Sequence, residues 1–175
     1  MDTNILDFGA VPGKTELCTK AIQSAIELCA ATGGGRVTIP EGEFLSGTIW
    51  LKSHVELHLK QGAWLIASDN QEDYNPEDAY VQNFGSASEE WKGQHFILAV
   101  EQEDVAITGS GILDGRGDAF FGDERKYGTT SWVQGYVTAK DKVKLRPGQL
   151  ICFIECTNVL VKNITLQNTP CWGLF

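Results

Sequence analysis

A repeated layout of strands is the feature of this sequence that most constrains its fold. The segments HVELHLKQGAWLIAS, DVAITGSGILDG and NVLVKNITLQNTP begin at His54, Asp104 and Asn158. Each starts with a polar residue and Val, alternates apolar and polar residues as a strand does, bends at Gly or Asn, and continues into a second apolar strand. Such repeats stack as coils of a solenoid, in which each coil buries its apolar residues against the coil before it. The sequence therefore predicts a solenoid of β-strands.

The spacing of the repeats leaves a second fold open. Val55, Val105 and Val159 are about fifty residues apart, which predicts roughly two turns of ~20 to 30 residues in each repeat once loops are subtracted. An antiparallel sandwich is the alternative, but it favours tight Asn-Gly or Asp-Gly hairpins between successive strands. The dipeptide Asp114-Gly115 is the one such signal, and the segment RGDAFFGDERKYG that follows it does not resemble a strand.

One amphipathic helix precedes the repeats. Apolar residues recur at helical spacing from Leu17 to Cys29. Thr15 is the predicted N-cap, and the glycines at 33–35 end the helix where a positive φ is needed. An open solenoid exposes unpaired backbone donors and acceptors at its end, and a helix laid over the first coil would cover them. We therefore expect a capping α-helix at the N-terminal end of the solenoid.

The length of the chain predicts one domain, since 175 residues is an ordinary domain size. We expect an N-terminal strand and the cap helix over residues 1–35, and the first coils over 36–175, with long loops at 68–95 and 116–147. The last residues, WGLF, are apolar and include no polar tail. We expect the chain to be the front part of a longer stack, cut inside a coil.

Charge and apolar runs exclude several classes of protein. The net charge of −9 argues against a general nucleic-acid binder. Apolar runs such as FILAV are far shorter than the roughly 20 residues of a membrane span, so no membrane partner is expected. Met1 is followed at once by polar residues, so no signal peptide is visible. The five cysteines lack C-x-x-C spacing, which gives a zinc site little support; buried thiols are expected, and the role of Cys171 stays open.

The charges are unevenly distributed along the two long loops. Residues 68–95 are acidic, whereas basic residues outnumber acidic ones in 116–146. A basic patch on an acidic protein is compatible with an anionic ligand. An ordinary solvated loop surface explains the same pattern, and both interpretations stay open.

Three segments resemble the pectin-degrading β-helix enzymes, and in particular glycoside hydrolase family 28, the polygalacturonases. They are residues 7–65, 107–121 and 145–175. The third segment is the most specific, because the family pattern has an Arg-Pro pair, an Asn-Val strand and an Asn-Ser-Pro-x-Trp turn. Here these are Arg146-Pro147, Asn158-Val159 and the turn Asn168-Thr169-Pro170-Cys171-Trp172, in which Thr replaces Ser but keeps its hydroxyl.

The resemblance implies an all-β fold, a right-handed parallel β-helix that hydrolyses α-linked galacturonic acid in pectin or the related rhamnogalacturonan backbone. Hydrolysis with inversion uses one carboxyl group as acid and another as base, and the two groups are held ~6.5 to 9.5 Å apart to admit a water molecule. The resemblance implies no cofactor or metal, an acidic polysaccharide as partner, and a secreted or periplasmic location. The family's Asn-x-Asp, Asp-Asp, Gly-His-Gly and Arg-x-Lys motifs are absent from residues 1–175. We therefore expect no catalytic residue in this chain, and the catalytic carboxylates beyond residue 175.

Substrate-binding residues are the remaining candidates. Asp114 and Asp118 are nearby carboxylates, but Asp-Gly-x-Gly is typical of a turn, in which Asp caps its own backbone. Arg116 between them can bind a uronate carboxylate with its planar guanidinium. Trp132 and Tyr136 lie in a long loop, where their rings can stack on sugar rings. Packing of these aromatic residues onto the solenoid is equally compatible with the sequence.

Two other functions remain as alternatives. A β-helix polysaccharide lyase would remove a proton beside the uronate carboxylate, usually with calcium, but the acidic loop lacks a regular alternation of ligands. A non-enzymatic β-helix, such as an adhesin, would bind glycans without turnover.

Overall fold

The computed structural model describes residues 1–79, 91–120 and 146–175 of the chain. These residues form strands, one α-helix and short 3-10 turns at Ile5–Phe8, Gln71–Asp73 and Gly117–Ala119. The helix is α1 (Thr19–Ala31). The strands are β1 (Asp2–Asn4), β2 (Gly13–Leu17), β3 (Gly35–Ile39), β4 (Gly42–Ser46), β5 (Ile49–Trp50), β6 (Val55–Leu59), β7 (Ala63–Ala67), β8 (Trp91–Lys92), β9 (Ile97–Val100), β10 (Glu103–Gly109), β11 (Ile112–Asp114), β12 (Arg146–Pro147), β13 (Ile151–Ile154), β14 (Thr157–Lys162) and β15 (Thr165–Gln167).

The strands pair in parallel and form a stack of coils. Sheet 1 has the order β1-β3-β6-β10-β14, and sheet 2 has the order β15-β11-β7-β4-β2. Sheet 3 has the order β13-β9-β5, and β12 pairs with β8. Each coil contributes one strand to sheet 1 and one to sheet 2, and three of the coils add a strand to sheet 3. Parallel crossovers of this kind are right-handed. The predicted all-β parallel β-helix is confirmed, and the antiparallel sandwich is wrong.

The sequence repeat corresponds to a single coil. Val105 pairs with Val159, and Ala106 pairs with Glu56, so Val55 stands in the same register one coil earlier. The expectation of two turns per repeat is therefore wrong. Each repeat is long because many residues of the sequence separate the sheet 2 strand from the sheet 3 strand of the same turn, and they add length without adding a coil.

Inward-facing apolar side chains of the three sheets fill the interior. Val37, Leu57 and Ile107 stack in one row of sheet 1 and are fully buried. Phe44, Leu65 and Leu113 form the equivalent buried row in sheet 2. Burying one such side chain stabilises the fold by about 1.5 to 3 kcal/mol.

Helix α1 packs on the N-terminal coils through one apolar face. Its buried residues are Ala21, Ile22, Ala25, Ile26 and Cys29. The predicted N-cap at Thr15 is wrong, because Thr15 lies in β2, which pairs with β4 at the edge of sheet 2. Cys18 occupies the cap position instead, without a side-chain hydrogen bond. The predicted glycine end is confirmed: Gly34 has φ 90°, and a Cβ there would clash with the His54 carbonyl oxygen.

The cysteines are free thiols, as the sequence predicted. Cys18, Cys29 and Cys152 are buried, and Cys156 and Cys171 are partly exposed. All five lie within the described residues. Burial raises the pKa of the Cys152 thiol to about 12, so this thiol stays protonated and behaves as a small apolar side chain.

Truncation of the buried face of α1 should destabilise the stack. Ile26 is 0% exposed and Leu28 on the same helix is 40% exposed. We expect Ile26→Ala to lower the free energy of unfolding by about 2 to 5 kcal/mol, and Leu28→Ala to lower it by less than about 1 kcal/mol. Denaturant unfolding followed by circular dichroism measures both values. Equal losses in the two variants would show that α1 does not bury its apolar face on the coils.

Candidate functional site

Polar side chains concentrate where the chain leaves sheet 2 and runs toward sheet 3. We call this surface the loop edge and define it by Asp69, Asp114, Arg116 and Asn168. These residues follow or end β7, β11 and β15 in successive coils. Parallel stacking therefore places residues that are about fifty positions apart next to one another. Long segments on a rigid scaffold are where ligand contacts concentrate.

Asp114 is held as a structural carboxylate. One of its oxygens, Oδ1, accepts a hydrogen bond of 2.9 Å from the backbone N–H of Arg116, as the turn interpretation predicted. The other, Oδ2, accepts a 2.8 Å bond from Gln167 Nε2, and Asn168 Nδ2 donates to both oxygens at 3.2 and 3.3 Å. Asp114 is 9% exposed. Its lone pairs thus bind its own turn and the next coil, which argues against a role as catalytic acid or base.

Arg116 lies at the loop edge in a left-handed backbone conformation, with φ 46°. Its Nη2 donates a 2.8 Å hydrogen bond to Asp69 Oδ2 of the preceding coil. The Arg116 side chain is 34% exposed and that of Asp69 is 51% exposed, so solvent reaches the pair. A carboxylate ligand would therefore have to compete with Asp69 for this guanidinium.

The aromatic candidates are not placed by the structure. Trp132 and Tyr136 lie outside the described residues, and so does Tyr127. Of the predicted substrate-binding residues, the structure therefore describes Arg116 alone and brings it together with Asp69. The sequence analysis missed this partner because 47 positions separate the two residues, and only the register of the coils brings them into contact.

Arg146 joins the two parts of the Arg-Pro and Pro-x-Trp pattern. Its side chain is buried at 4% exposure, and Nη1 donates a 2.7 Å hydrogen bond to the carbonyl oxygen of Pro170. The backbone N–H of Leu150 donates to the carbonyl oxygen of Trp172 nearby. The pattern therefore describes a contact between consecutive coils at the loop edge.

His95 is a buried structural residue beside the loop edge. Its backbone N–H donates to Asn75 Oδ1 at 2.9 Å, and its carbonyl oxygen accepts from the Thr48 hydroxyl at 2.7 Å. Its ring Nδ1 lies 3.1 Å from the Gln149 carbonyl oxygen, so this nitrogen carries the proton. Burial lowers the pKa of His95, and the neutral ring is favoured. The sequence analysis missed these contacts because Thr48 and Gln149 lie in the neighbouring coils, and Asn75 lies 20 positions earlier in the same coil.

No metal centre is visible among residues 1–79, 91–120 and 146–175, where no three His, Cys, Asp or Glu side chains are grouped to bind an ion. Two acids of the predicted acidic loop already have partners. Asp69 binds Arg116, and Asp73 accepts a hydrogen bond from the Ser68 hydroxyl.

Loss of the Asp114 carboxylate should affect stability. Asp114→Ala leaves the donors of Arg116, Gln167 and Asn168 without their acceptor, and we expect it to lower the free energy of unfolding by about 2 to 4 kcal/mol. Asp118 is exposed on the same segment, so Asp118→Ala should change this free energy by no more than about 0.5 kcal/mol. Thermal and denaturant unfolding measure both. Similar values for the two variants would contradict the structural role of Asp114.

Comparison with known proteins gives these contacts a family context. The sequence model described as Glycosyl hydrolases family 28 matches residues 29–174. An exo-poly-alpha-D-galacturonosidase of Dickeya chrysanthemi is 38% identical over 122 residues, which are 65% of this chain and 19% of that protein. A probable polygalacturonase of Vitis vinifera is 28% identical over 98% of this chain and 33% of its own length.

A solved structure shows the same architecture. The hyperthermoactive exopolygalacturonase from Thermotoga maritima superposes with a TM-score of 0.72 at 30% identity, over 97% of this chain and 42% of that one. The chain thus spans between about a fifth and a third of the length of the two relatives above. Because the family match extends over most of the chain and includes both Arg146 and the turn that it contacts, the chain belongs to glycosyl hydrolases family 28.

Proposed function

We propose that this chain is part of a hydrolase that cleaves α-linked galacturonic acid in pectin, as a polygalacturonase or a rhamnogalacturonan hydrolase. The observation that carries this proposal is the solvent-accessible guanidinium of Arg116, displayed at the loop edge of a family 28 β-helix. A guanidinium suits the carboxylate of a uronate unit because its planar N–H groups match the two carboxylate oxygens. The polygalacturonase relatives support the same substrate class.

The reaction proposed is hydrolysis with inversion by two carboxylates. One protonates the leaving oxygen, and the other activates water across a gap of ~6.5 to 9.5 Å. Asp114 is hydrogen-bonded to a neighbouring coil, and the family's Asn-x-Asp and Asp-Asp motifs do not occur in residues 1–175. We therefore place the catalytic pair beyond residue 175.

We also propose that residues 1–175 form one β-helix domain that continues into further coils. Strand β14 is at the edge of sheet 1, and Val159 is 39% exposed, whereas Val55 and Val105 in the same row are fully buried. Trp172, Leu174 and Phe175 are each 49% exposed. A further coil would bury this apolar surface, as each described coil does for the one before it.

Substrate binding is assigned to the loop edge and its long loops. Arg116 would bind a uronate carboxylate, and Trp132 and Tyr136 would stack on sugar rings. The partner is then pectin or another acidic polysaccharide, and the location of the parent protein is secreted or periplasmic. We do not expect nucleic acid or membrane as a partner. In the described part of the chain, α1 is too short and too polar to cross a bilayer.

The two alternatives are less well supported. A calcium-dependent lyase would need free acids at the loop edge, but Asp69 and Asp73 already have hydrogen-bond partners. A non-enzymatic glycan-binding β-helix would use the same fold without turnover. Relatives named as galacturonosidase and polygalacturonase favour the hydrolase.

An assay of the parent protein tests the reaction. We expect reducing ends to be released from polygalacturonate or rhamnogalacturonan, without an unsaturated product that absorbs in the ultraviolet and without loss of activity on adding a chelator. The chain 1–175 is the matched control and should release none. Ultraviolet-absorbing product would favour the lyase, and glycan binding with no release of reducing ends would favour the non-enzymatic alternative.

Variants at the ion pair test the role of Arg116. In the parent protein we expect Arg116→Asn to raise KM for polygalacturonate about two- to fivefold, since one exposed ion pair with the substrate is lost. Asn tolerates the left-handed backbone at this position. Asp69→Asn should lower KM, because the guanidinium is then free for substrate, and kcat should change little in either variant. Equal shifts of KM in both variants, or none, would contradict a substrate contact.

A further inference from the structure

The outer face of sheet 1 carries a groove that is separate from the loop edge. It has a volume of about 910 Å³, within the range of about 300 to 1,000 Å³ that is typical of ligand pockets. Strands β3, β6, β10 and β14 each contribute to its lining. Neighbouring strands are about 4.8 Å apart, so the groove extends about 14 Å across the coils. A short oligosaccharide fits a groove of this length.

A hydrogen-bonded row of side chains forms the floor of the groove. Arg36 Nε donates a 2.8 Å hydrogen bond to Glu56 Oε2, and the Thr108 hydroxyl donates to Glu56 Oε1. His58 Nδ1 lies 2.8 Å from Thr108 Oγ1. Burial alone would raise the pKa of Glu56, but the hydrogen bonds from Arg36 and Thr108 and the charge of Arg36 hold it below its usual value. The negative charge on the floor is therefore neutralised by Arg36.

Two lysines at the rim give the groove a positive character. Lys60 and Lys162 line it, and neither forms an ion pair with an acid of the described residues. Glu41 also lines the groove and opposes them. Leu160 of β14 also lines the groove, and its exposed side chain can pack on the C–H face of a sugar ring. This excess of positive charge stands out on a chain whose net charge is −9.

We propose that this groove is a second binding site for an acidic polysaccharide, in which Lys60 and Lys162 contact the carboxylates of a uronate chain that crosses the coils. The inference rests on the proposed function, because the ligand belongs to the same class of polymer. The site is distinct from the loop edge, which follows the strands of sheet 2. Such a groove would hold the polymer on the enzyme while another segment of it is cleaved.

Binding of a size-defined oligogalacturonate to the chain tests this proposal by calorimetry. We expect Lys60→Gln and Lys162→Gln each to weaken binding about two- to fivefold, the range for exposed ion pairs. Glu41→Gln should strengthen binding, since a repelling carboxylate is removed. Lys20→Gln is the matched control, because Lys20 is exposed on α1 away from the groove, and it should bind as the unchanged chain does. Higher salt should weaken binding.

Several outcomes would overturn the second site. The first is equal affinity of Lys60→Gln and Lys20→Gln for the oligogalacturonate. The second is binding of poly-glutamate as tight as that of the oligogalacturonate. The third is concentration-dependent dimerisation that is lost in Lys162→Gln, which would assign the groove to a second copy of the chain. Hydrolysis is measured separately, as the release of reducing ends by the parent protein. Hydrolysis together with unchanged affinity in the groove variants would reject the second site alone, whereas lysine-dependent binding without hydrolysis would reject the proposed reaction alone.

Discussion

Parallel pairing of each coil with its neighbours is the constraint on which the rest of this structure depends. A strand of sheet 1 finds its backbone partners in the coils before and after it, and its inward side chains pack in rows such as Val37, Leu57 and Ile107. No coil has a complete core of its own, because its apolar residues are buried by the adjacent coils. The helix α1 and its Ile22 and Ile26 serve the same purpose at the N-terminal coils.

The corners between sheet 3 and sheet 1 explain why each repeat begins with a polar residue before Val. His54, Asp104 and Asn158 all have positive φ at this corner, with values of 62°, 53° and 55°. Asn, Asp and His tolerate this conformation better than most other non-glycine residues. They also stack: Asp104 accepts a 3.0 Å hydrogen bond from Asn158 and lies 3.1 Å from the ring of His54. The polar position is therefore a residue of left-handed backbone at the start of a sheet 1 strand, and its side chain links three coils.

Stacking also separates the scaffold from the functional surfaces. The long segments after sheet 2 can vary in length without changing the register of the strands, and the loop edge then collects side chains from successive coils. Arg116 meets Asp69 in this way, and Arg146 meets the turn at Pro170. In the groove of sheet 1 the side chains come from the strands and not from the segments that follow them. The strands carry Arg36, Glu56, Thr108 and Lys162 in adjacent rows.

Signals that are local along the chain were enough to predict three features. Alternation of apolar residues predicted the solenoid, helical spacing before the repeats predicted the helix, and the Arg-Pro and Pro-x-Trp patterns indicated the family. The length of one turn, the start of α1 after Cys18, the burial of His95 and the partner of Arg116 were not predicted. Each of these depends on register, since pairing decides which distant residues become neighbours, and a long loop within a coil hides that register. The sequence alone therefore determined the kind of stack, and the tertiary structure decided which side chains meet on its surface.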